Sequence, residues 1–211
     1  MQKILLIKTS SMGDVIHNLP VASDIRRAFP LAEIHWLVEE NFAAIAALHP
    51  AVKRVIPVAL RRWRGNWFSS AVRTEKRLFK EHLQREAYDV VLDTQGLLKS
   101  ALIARHANGR RCGYAWGSAR EPLASLFYQD KQTVAKSLHA VERNRLLAAK
   151  CLRYALTEAV DYGIRAPETA LSWPSGTSPP LPSWERAGER GYAYAVLLHA
   201  TSRADKLWAE A

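Results

Sequence analysis

Lys3-Ile4-Leu5-Leu6-Ile7-Lys8, followed by Thr9-Ser10-Ser11-Met12-Gly13-Asp14, is the stretch on which the fold turns. Its first six residues are a short apolar run of the kind buried on both faces of a parallel sheet. The next six are small, polar and loop-like. Val15, Leu19, Ala22, Ile25 and Phe29 then recur at helical spacing. Pro20 falls inside that pattern and leaves two readings open. Either the helix kinks there, or it starts near Asn18 with Pro20 in its first turn.

Working outward, the same order repeats. Residues 34–38 read as a second strand, 40–48 as a helix and 54–58 as a third strand. Residues 70–87 form an amphipathic helix, with Val72, Phe79 and Leu83 on one side and Arg73, Lys76, Arg77 and Lys80 on the other. Residues 88–93 are a fourth strand, 97–107 a helix, 110–114 a fifth strand and 137–153 a last helix. Strands alternating with helices imply an α/β, Rossmann-like domain with a parallel sheet. In such sheets ligands bind beyond the carboxyl ends of the strands, where the strand order reverses. The loop 9–14, the segment 59–66 and the turn after Asp93 are therefore expected on one rim.

Residues 172–191 break the pattern. They are rich in Pro, Ser and Gly and read as a linker. A strand over 194–199, a polar turn and the start of a helix follow. This is the expected beginning of a second α/β domain, so the divisions are 1–171, 172–191 and 192–211. The other reading adds strand 194–199 to the edge of the first sheet.

The 211 residues are 48% hydrophobic, which excludes wholesale disorder. No stretch reaches the ~18 apolar residues that span a bilayer. The opening apolar run is also too short for a secretory signal, so a cytoplasmic location is expected. Cys112 and Cys151 are isolated, lack metal-type spacing and are expected as thiols in a reducing compartment. The formal charge is +10. Residues 1–154 hold 25 Lys and Arg against 13 Asp and Glu, whereas 155–211 hold 5 against 7. A basic field confined to the first part collects anions, whether nucleic acid, acidic lipid or a multiply charged substrate.

Dinucleotide, P-loop and nucleophile-elbow fingerprints are absent, and the seven His are too scattered for a zinc site, so no metal is expected. Asp14 is the best single candidate for chemistry. A carboxylate there either caps the following helix or takes a proton from a sugar hydroxyl as general base. Gly13 allows close backbone approach to a ligand or a positive φ. Arg61-Arg62-Trp63-Arg64 supplies guanidinium forks suited to carboxylate or phosphate. Trp63 and Trp67 interleaved with them would also suit stacking on single-stranded nucleic acid. The turn Asp93-Thr94-Gln95-Gly96 either lines the cleft or caps a helix.

Five segments occur in order: Lys8 to Val15, Arg61 to Arg64, Asp93-Thr94-Gln95-Gly96-Leu97, Ala119 to Tyr128 (Ala-Arg-Glu-Pro-Leu-Ala-Ser-Leu-Phe-Tyr), and His199 to Lys206 (His-Ala-Thr-Ser-Arg-Ala-Asp-Lys). Together they resemble the lipopolysaccharide heptosyltransferases, and the second and fourth narrow the resemblance to type I. It covers residues 1–171 and resumes at about 192–208. The resemblance implies the N-terminal half of a two-domain GT-B glycosyltransferase that moves heptose from ADP-heptose to the Kdo residue of the inner core. The resemblance further implies that transfer inverts the anomeric centre with no metal or cofactor, ADP-heptose being the donor substrate.

By motif, Asp14 would be the general base. Arg61, Arg62, Arg64, Arg120 and Arg143 would hold the carboxylates and phosphates of a Kdo-lipid A acceptor. Gly13, Thr201, Ser202 and Lys206 would contact the donor. Peripheral association with the cytoplasmic face of the inner membrane is implied, and nucleic acid is not. Residues 174–191 have no expected counterpart in the family and look inserted. Most of a donor domain is missing, so the chain is expected to be a fragment that binds acceptor without transferring heptose. The alternative function is a non-catalytic module that grips acidic lipopolysaccharide or an anionic lipid surface.

Overall fold

Residues 3–8 form the strand that their composition implies, and it lies at the middle of the sheet. β1 (Lys3–Ile7) is flanked on one side by β2 (Glu33–Glu39) and β3 (Val52–Val58), and on the other by β4 (Ala87–Asp93), β5 (Asn108–Tyr114) and β6 (Asp130–Gln132). The spatial order is β3-β2-β1-β4-β5-β6 and every pairing is parallel. The computed structural model describes residues 2–66, 69–157 and 159–164, all within the first compact unit of the chain.

Alternate residues of the strands feed two cores, as the two-residue period of a strand requires. Ile4 and Leu6 join Ile34, Trp36, Val90 and Leu92 on one face. That face is covered by α1 (Met12–Ile16), α2 (Leu19–Ala28), α3 (Ala43–Ala47) and α7 (Ala140–Leu152). Leu5 and Ile7 join Leu37, Ile56 and Val91 on the other, under α4 (Leu60–Gly65), α5 (Ser70–Arg85) and α6 (Leu98–Ala104). Of the two readings at Pro20 the second holds: Asn18 is the N-cap of α2 and Pro20 sits in its first turn, where its missing N–H costs nothing.

Two elements appear that the apolar periodicity did not mark, and one expectation changes. The Arg61–Arg64 segment is helical, since Leu60 and Trp63 anchor one short turn to the core. Residues 122–127 form a 3₁₀ turn that leads into β6, a three-residue polar edge strand with no hydrophobic signature. The expected thiols are instead a disulfide. Cys112 on β5 and Cys151 on α7 point into the same core with Cα atoms 6.0 Å apart, inside the usual bridging range. Their 39-residue separation conceals a neighbour relation created by α7 packing over β5.

The chain passes from β3 through α4 and α5 to β4, crossing from one side of β1 to the other. Strand order therefore reverses between β1 and β4, and the crevice beyond their carboxyl ends is the place where such a sheet binds ligands. No helix among the described residues is long and apolar enough to cross a membrane. The linker 172–191, the strand 194–199 and Trp67 lie outside the described residues.

Candidate active site

At the β1/β4 switch point lies a cavity of about 220 Å³ lined by Lys8, Asp14, Gln95, Tyr114, Arg120 and Arg143, among others. The loop after β1, the turn after β4, the segment after β5 and the start of α7 all converge on it. The expected common rim is thus present for loop 9–14 and the Asp93 turn.

Asp14 is the third residue of the short helix α1. Its Oδ2 accepts hydrogen bonds from the Ser11 N–H (2.9 Å) and the Ser11 hydroxyl (3.3 Å), closing the first turn. The Arg120 guanidinium lies 3.7 Å from the same oxygen. Oδ1 makes no hydrogen bond among the described residues. Capping and proton transfer are therefore compatible, because a carboxylate has two oxygens and the turn uses one. Gly13 has no positive φ; it is an ordinary helical residue whose Cβ position faces open space, so what remains of its expected role is access.

The loop bearing Asp14 is held from β4. Asp93 is fully buried and its carboxylate organises the turn after the strand, accepting from Gln95 N–H (2.8 Å), Gly96 N–H (3.3 Å) and the Tyr128 hydroxyl (2.7 Å). Burial raises the Asp93 pKa, and these donors oppose the rise. Gly96 takes φ +65° to complete the turn. Gly113 on β5 leaves room for the Tyr128 ring, which any Cβ there would strike. Gln95, so oriented, accepts both the Thr9 N–H (3.0 Å) and the Ser10 N–H (3.2 Å) through Oε1. Lys99 donates to the Ser10 hydroxyl at 3.0 Å. The two sides of the reversal are tied together directly above the strands.

Lys8 occupies the floor. It is only 5% exposed, and its Nζ donates to the Thr94 carbonyl (2.9 Å) and to Asn144 Oδ1 (3.4 Å). The Tyr114 hydroxyl donates to the same Asn144 oxygen at 3.2 Å. Burial lowers the Lys8 pKa to about 8, against the pull of the Asp14 and Asp93 carboxylates. Sequence reading assigned Lys8, Tyr114 and Asn144 no role, and named Gln95 only as part of the turn after Asp93 that lines the cleft or caps a helix. The available signal was a charged residue ending a fully apolar parallel strand, a position where the backbone continues into buried surroundings.

The arginines divide. Arg120 and Arg143 reach the cavity, with Arg143 donating to the Ser118 carbonyl (2.7 Å) and stacked 5.1 Å over the Tyr114 ring. Arg61 and Arg64 line a separate groove of about 400 Å³ with Leu60, Lys76 and Lys99. Arg62 points elsewhere: it pairs with both Glu40 (3.1 Å) and Glu75 (2.7 Å). These partners raise its own pKa, and Arg62 lowers that of Glu75 to about 2. Trp63 is buried edge-to-face against Phe79 at 5.4 Å, so it offers no surface for stacking on a base. Thr201, Ser202 and Lys206 lie outside the described residues.

A buried Ser–His pair elsewhere lacks catalytic geometry. His49 Nδ1 accepts the Ala51 N–H (3.1 Å), so Nε2 carries the proton and donates to Ser23 Oγ (2.8 Å). A base that already holds its proton on the serine side cannot activate it. Among the described residues no cluster of three His, Cys, Asp or Glu is placed to hold a metal.

The sequence profile of glycosyltransferase family 9 (heptosyltransferase) matches residues 76–211, well over half of the chain. The chain belongs to glycosyltransferase family 9. Among relatives in this family, lipopolysaccharide heptosyltransferase 1 of Escherichia coli K12 is 50% identical over 210 residues, covering 99% of this chain and 61% of the relative. Two solved heptosyltransferase structures are similar to this chain. E. coli heptosyltransferase WaaC with ADP has a TM-score of 0.81 at 46% identity, over 98% of this chain and 61% of that one. WaaC with ADP-2-deoxy-2-fluoro heptose also scores 0.81, at 49% identity, over 98% and 62%. The chain therefore spans about three fifths of the length of the curated heptosyltransferases it matches. The profile begins after the Asp14 loop, whereas the match to the E. coli relative includes it.

Proposed function

We propose that this chain carries the acceptor site and general base of an inverting heptosyltransferase that moves heptose from ADP-heptose to a Kdo residue of the lipopolysaccharide inner core. The observation that carries the reading is the Asp14 carboxylate, with one oxygen uncommitted, facing Lys8, Arg120 and Arg143 across a cavity at the strand-order reversal. Asp14 removes the proton of an acceptor hydroxyl. The oxygen attacks the heptose anomeric carbon from the face opposite the leaving group, and the bond to ADP breaks with its electrons leaving on the diphosphate. No metal is needed for the proton transfer.

In this reading Arg120 and Arg143 hold the acidic acceptor sugar, and Arg61 and Arg64 hold anionic groups further out along the groove. The Arg62 ion pairs give that residue a positioning role between α4, α5 and Glu40. Gly13, Thr201, Ser202 and Lys206 serve the donor diphosphate, where positive charge stabilises the leaving group. Residues 1–171 are the acceptor domain, 172–191 a linker and 192–211 the start of the donor domain. Because the acceptor is lipid-linked, the enzyme works on the cytoplasmic face of the inner membrane as a peripheral protein.

The test is Asp14→Asn in a chimaera that takes its remaining length from the E. coli relative. With ADP-heptose and Kdo-lipid A, kcat should fall by about 10²–10⁴, the usual contribution of a general base, while acceptor KM changes less than about threefold. A kcat within tenfold of the unsubstituted chimaera removes Asp14 from the proton transfer.

A further inference from the structure

The acceptor reading assigns the arginines and Asp14, and leaves the buried Lys8 ammonium without a task. We infer that Lys8 is the innermost anion contact of this cavity, offering one ammonium proton to the carboxylate of a sugar acid whose hydroxyl faces Asp14. The inference rests on the acceptor reading above and extends it to a residue to which the resemblance assigned no role.

An ammonium group has three protons. Two go to the Thr94 carbonyl and Asn144 Oδ1, both neutral acceptors, and the group lines the cavity. No carboxylate lies within ion-pair distance of it among the described residues. Lysines at a protein surface usually carry the charge out to water on a flexible stem. Here β1 ends by directing that stem inward, at 5% exposure. Burying a charge without a counter-ion is costly, and methionine would fill the same space without that cost. A site that keeps the charge is built for an anion that arrives with the ligand.

The groups facing Lys8 define which anion fits. Asp14 on α1, His17 just beyond that helix, Asp93 at the end of β4, Tyr114 on β5, Arg120 on the following loop and Arg143 on α7 all surround it. Asp93 is already saturated by its own donors, and the α1 turn and Arg120 engage only one Asp14 oxygen, which leaves Lys8, Arg120 and Arg143 as a three-cation cup beside the free oxygen. A cavity of about 220 Å³ takes a single sugar ring. A carboxylate on that ring satisfies the cup while leaving a hydroxyl for Asp14. A phosphorylated lipid headgroup belongs to the wider groove at Arg61 and Arg64.

Burial lowers the Lys8 pKa to about 8, and a bound carboxylate would return it toward its ordinary value. Binding above pH 8 must then take up a proton. The test is calorimetric titration of the 211-residue chain with the methyl glycoside of Kdo in phosphate-free buffer at pH 7 and pH 9. Wild-type affinity should weaken about tenfold over that interval, with proton uptake at pH 9 seen by comparing buffers of different ionisation enthalpy. Lys8→Gln, checked for native circular dichroism, should bind at least about tenfold more weakly at pH 7 and show no slope. Lys8→Arg, charged at both pH values, should hold its affinity at pH 9.

Three results each overturn the inference: a flat wild-type profile, wild-type affinity in Lys8→Gln, or equal binding of the Kdo methyl ester, which lacks the charge. Each leaves the acceptor reading standing, because the sugar still binds. If wild type binds the sugar acid at neither pH, both fall. If Lys8→Gln fails to fold, the wild-type slope and the methyl ester decide alone.

Discussion

Replacing Gln95 by Met removes the oxygen that anchors the loop before Asp14 and keeps the side chain's volume. Gln95 is 4% exposed, and its Oε1 is the acceptor for the Thr9 and Ser10 backbone N–H groups at 3.0 and 3.2 Å. An orphaned buried donor costs about 1–3 kcal/mol. Thr9 is fully buried and bears the full cost, whereas Ser10 keeps 8% exposure and bears less of it. The sum is roughly 2–3 kcal/mol for the pair.

Two readouts follow from that figure. Thermal unfolding of a chain this size shifts by about 2–4 °C per kcal/mol, so Gln95→Met should melt roughly 5–10 °C lower. Hydrogen exchange is more specific. The Thr9 and Ser10 amides should exchange roughly 30–150 times faster, while the Lys8 and Glu39 amides, which donate to the Leu37 and Thr9 carbonyls, stay protected until the sheet opens. If Thr9 and Ser10 exchange at the wild-type rate, or only the global melt moves, Gln95 is a packing residue and the account of how β4 positions Asp14 is wrong.

Further outcomes are expected at Lys8 and at Arg145. Lys8→Met should stabilise the fold by about 1–3 kcal/mol at pH 7, since an unpaired buried charge is removed at the loss of two modest hydrogen bonds. With a folded pKa of about 8 and an ordinary value of 10.5, wild type holds its Lys8 proton less tightly than the unfolded chain does. Its own stability should therefore rise by about 3 kcal/mol between pH 8 and 10.5, and this component should vanish in Lys8→Met when the two are unfolded in urea across that range. Arg145→Met should cost about 3–5 kcal/mol in the same assay, because it strips the buried Asp24 of a two-point ion pair at 2.6 and 3.0 Å and leaves only Arg27 at 3.4 Å. Adding Asp24→Leu should recover at least half of that loss, and a double variant no more stable than the single would show that the pair itself is not what Arg145 contributes.

The parallel sheet was legible because its strands are buried on both faces and so read as continuous apolar runs. Ile4–Ile7 and Val90–Leu92 could only be central strands, and the helix over 70–85 declared its buried side through Val72, Phe79 and Leu83. β6 carried no such mark, because a three-residue edge strand of Asp, Lys and Gln is placed by its backbone pairing with β5 rather than by burial. Arg62 was unreadable for a related reason. Its chemistry matches Arg61 and Arg64, yet one helical turn aims it at Glu40 and Glu75 instead of the groove.

Local order in this protein follows from the period of its apolar residues, and that period is written along the chain. The candidate site does not follow in the same way. Asp14 was legible because it ends a motif beside the strand that carries it. Lys8, Gln95 and Asn144 gained meaning only when β1, β4 and α7 met at the strand-order reversal, across separations of 86 and 136 residues. The same is true of the Cys112–Cys151 bridge. Hydrophobic periodicity sets which residues are buried, but which buried polar groups face one another depends on how the crossovers stack the helices, and no single segment encodes that.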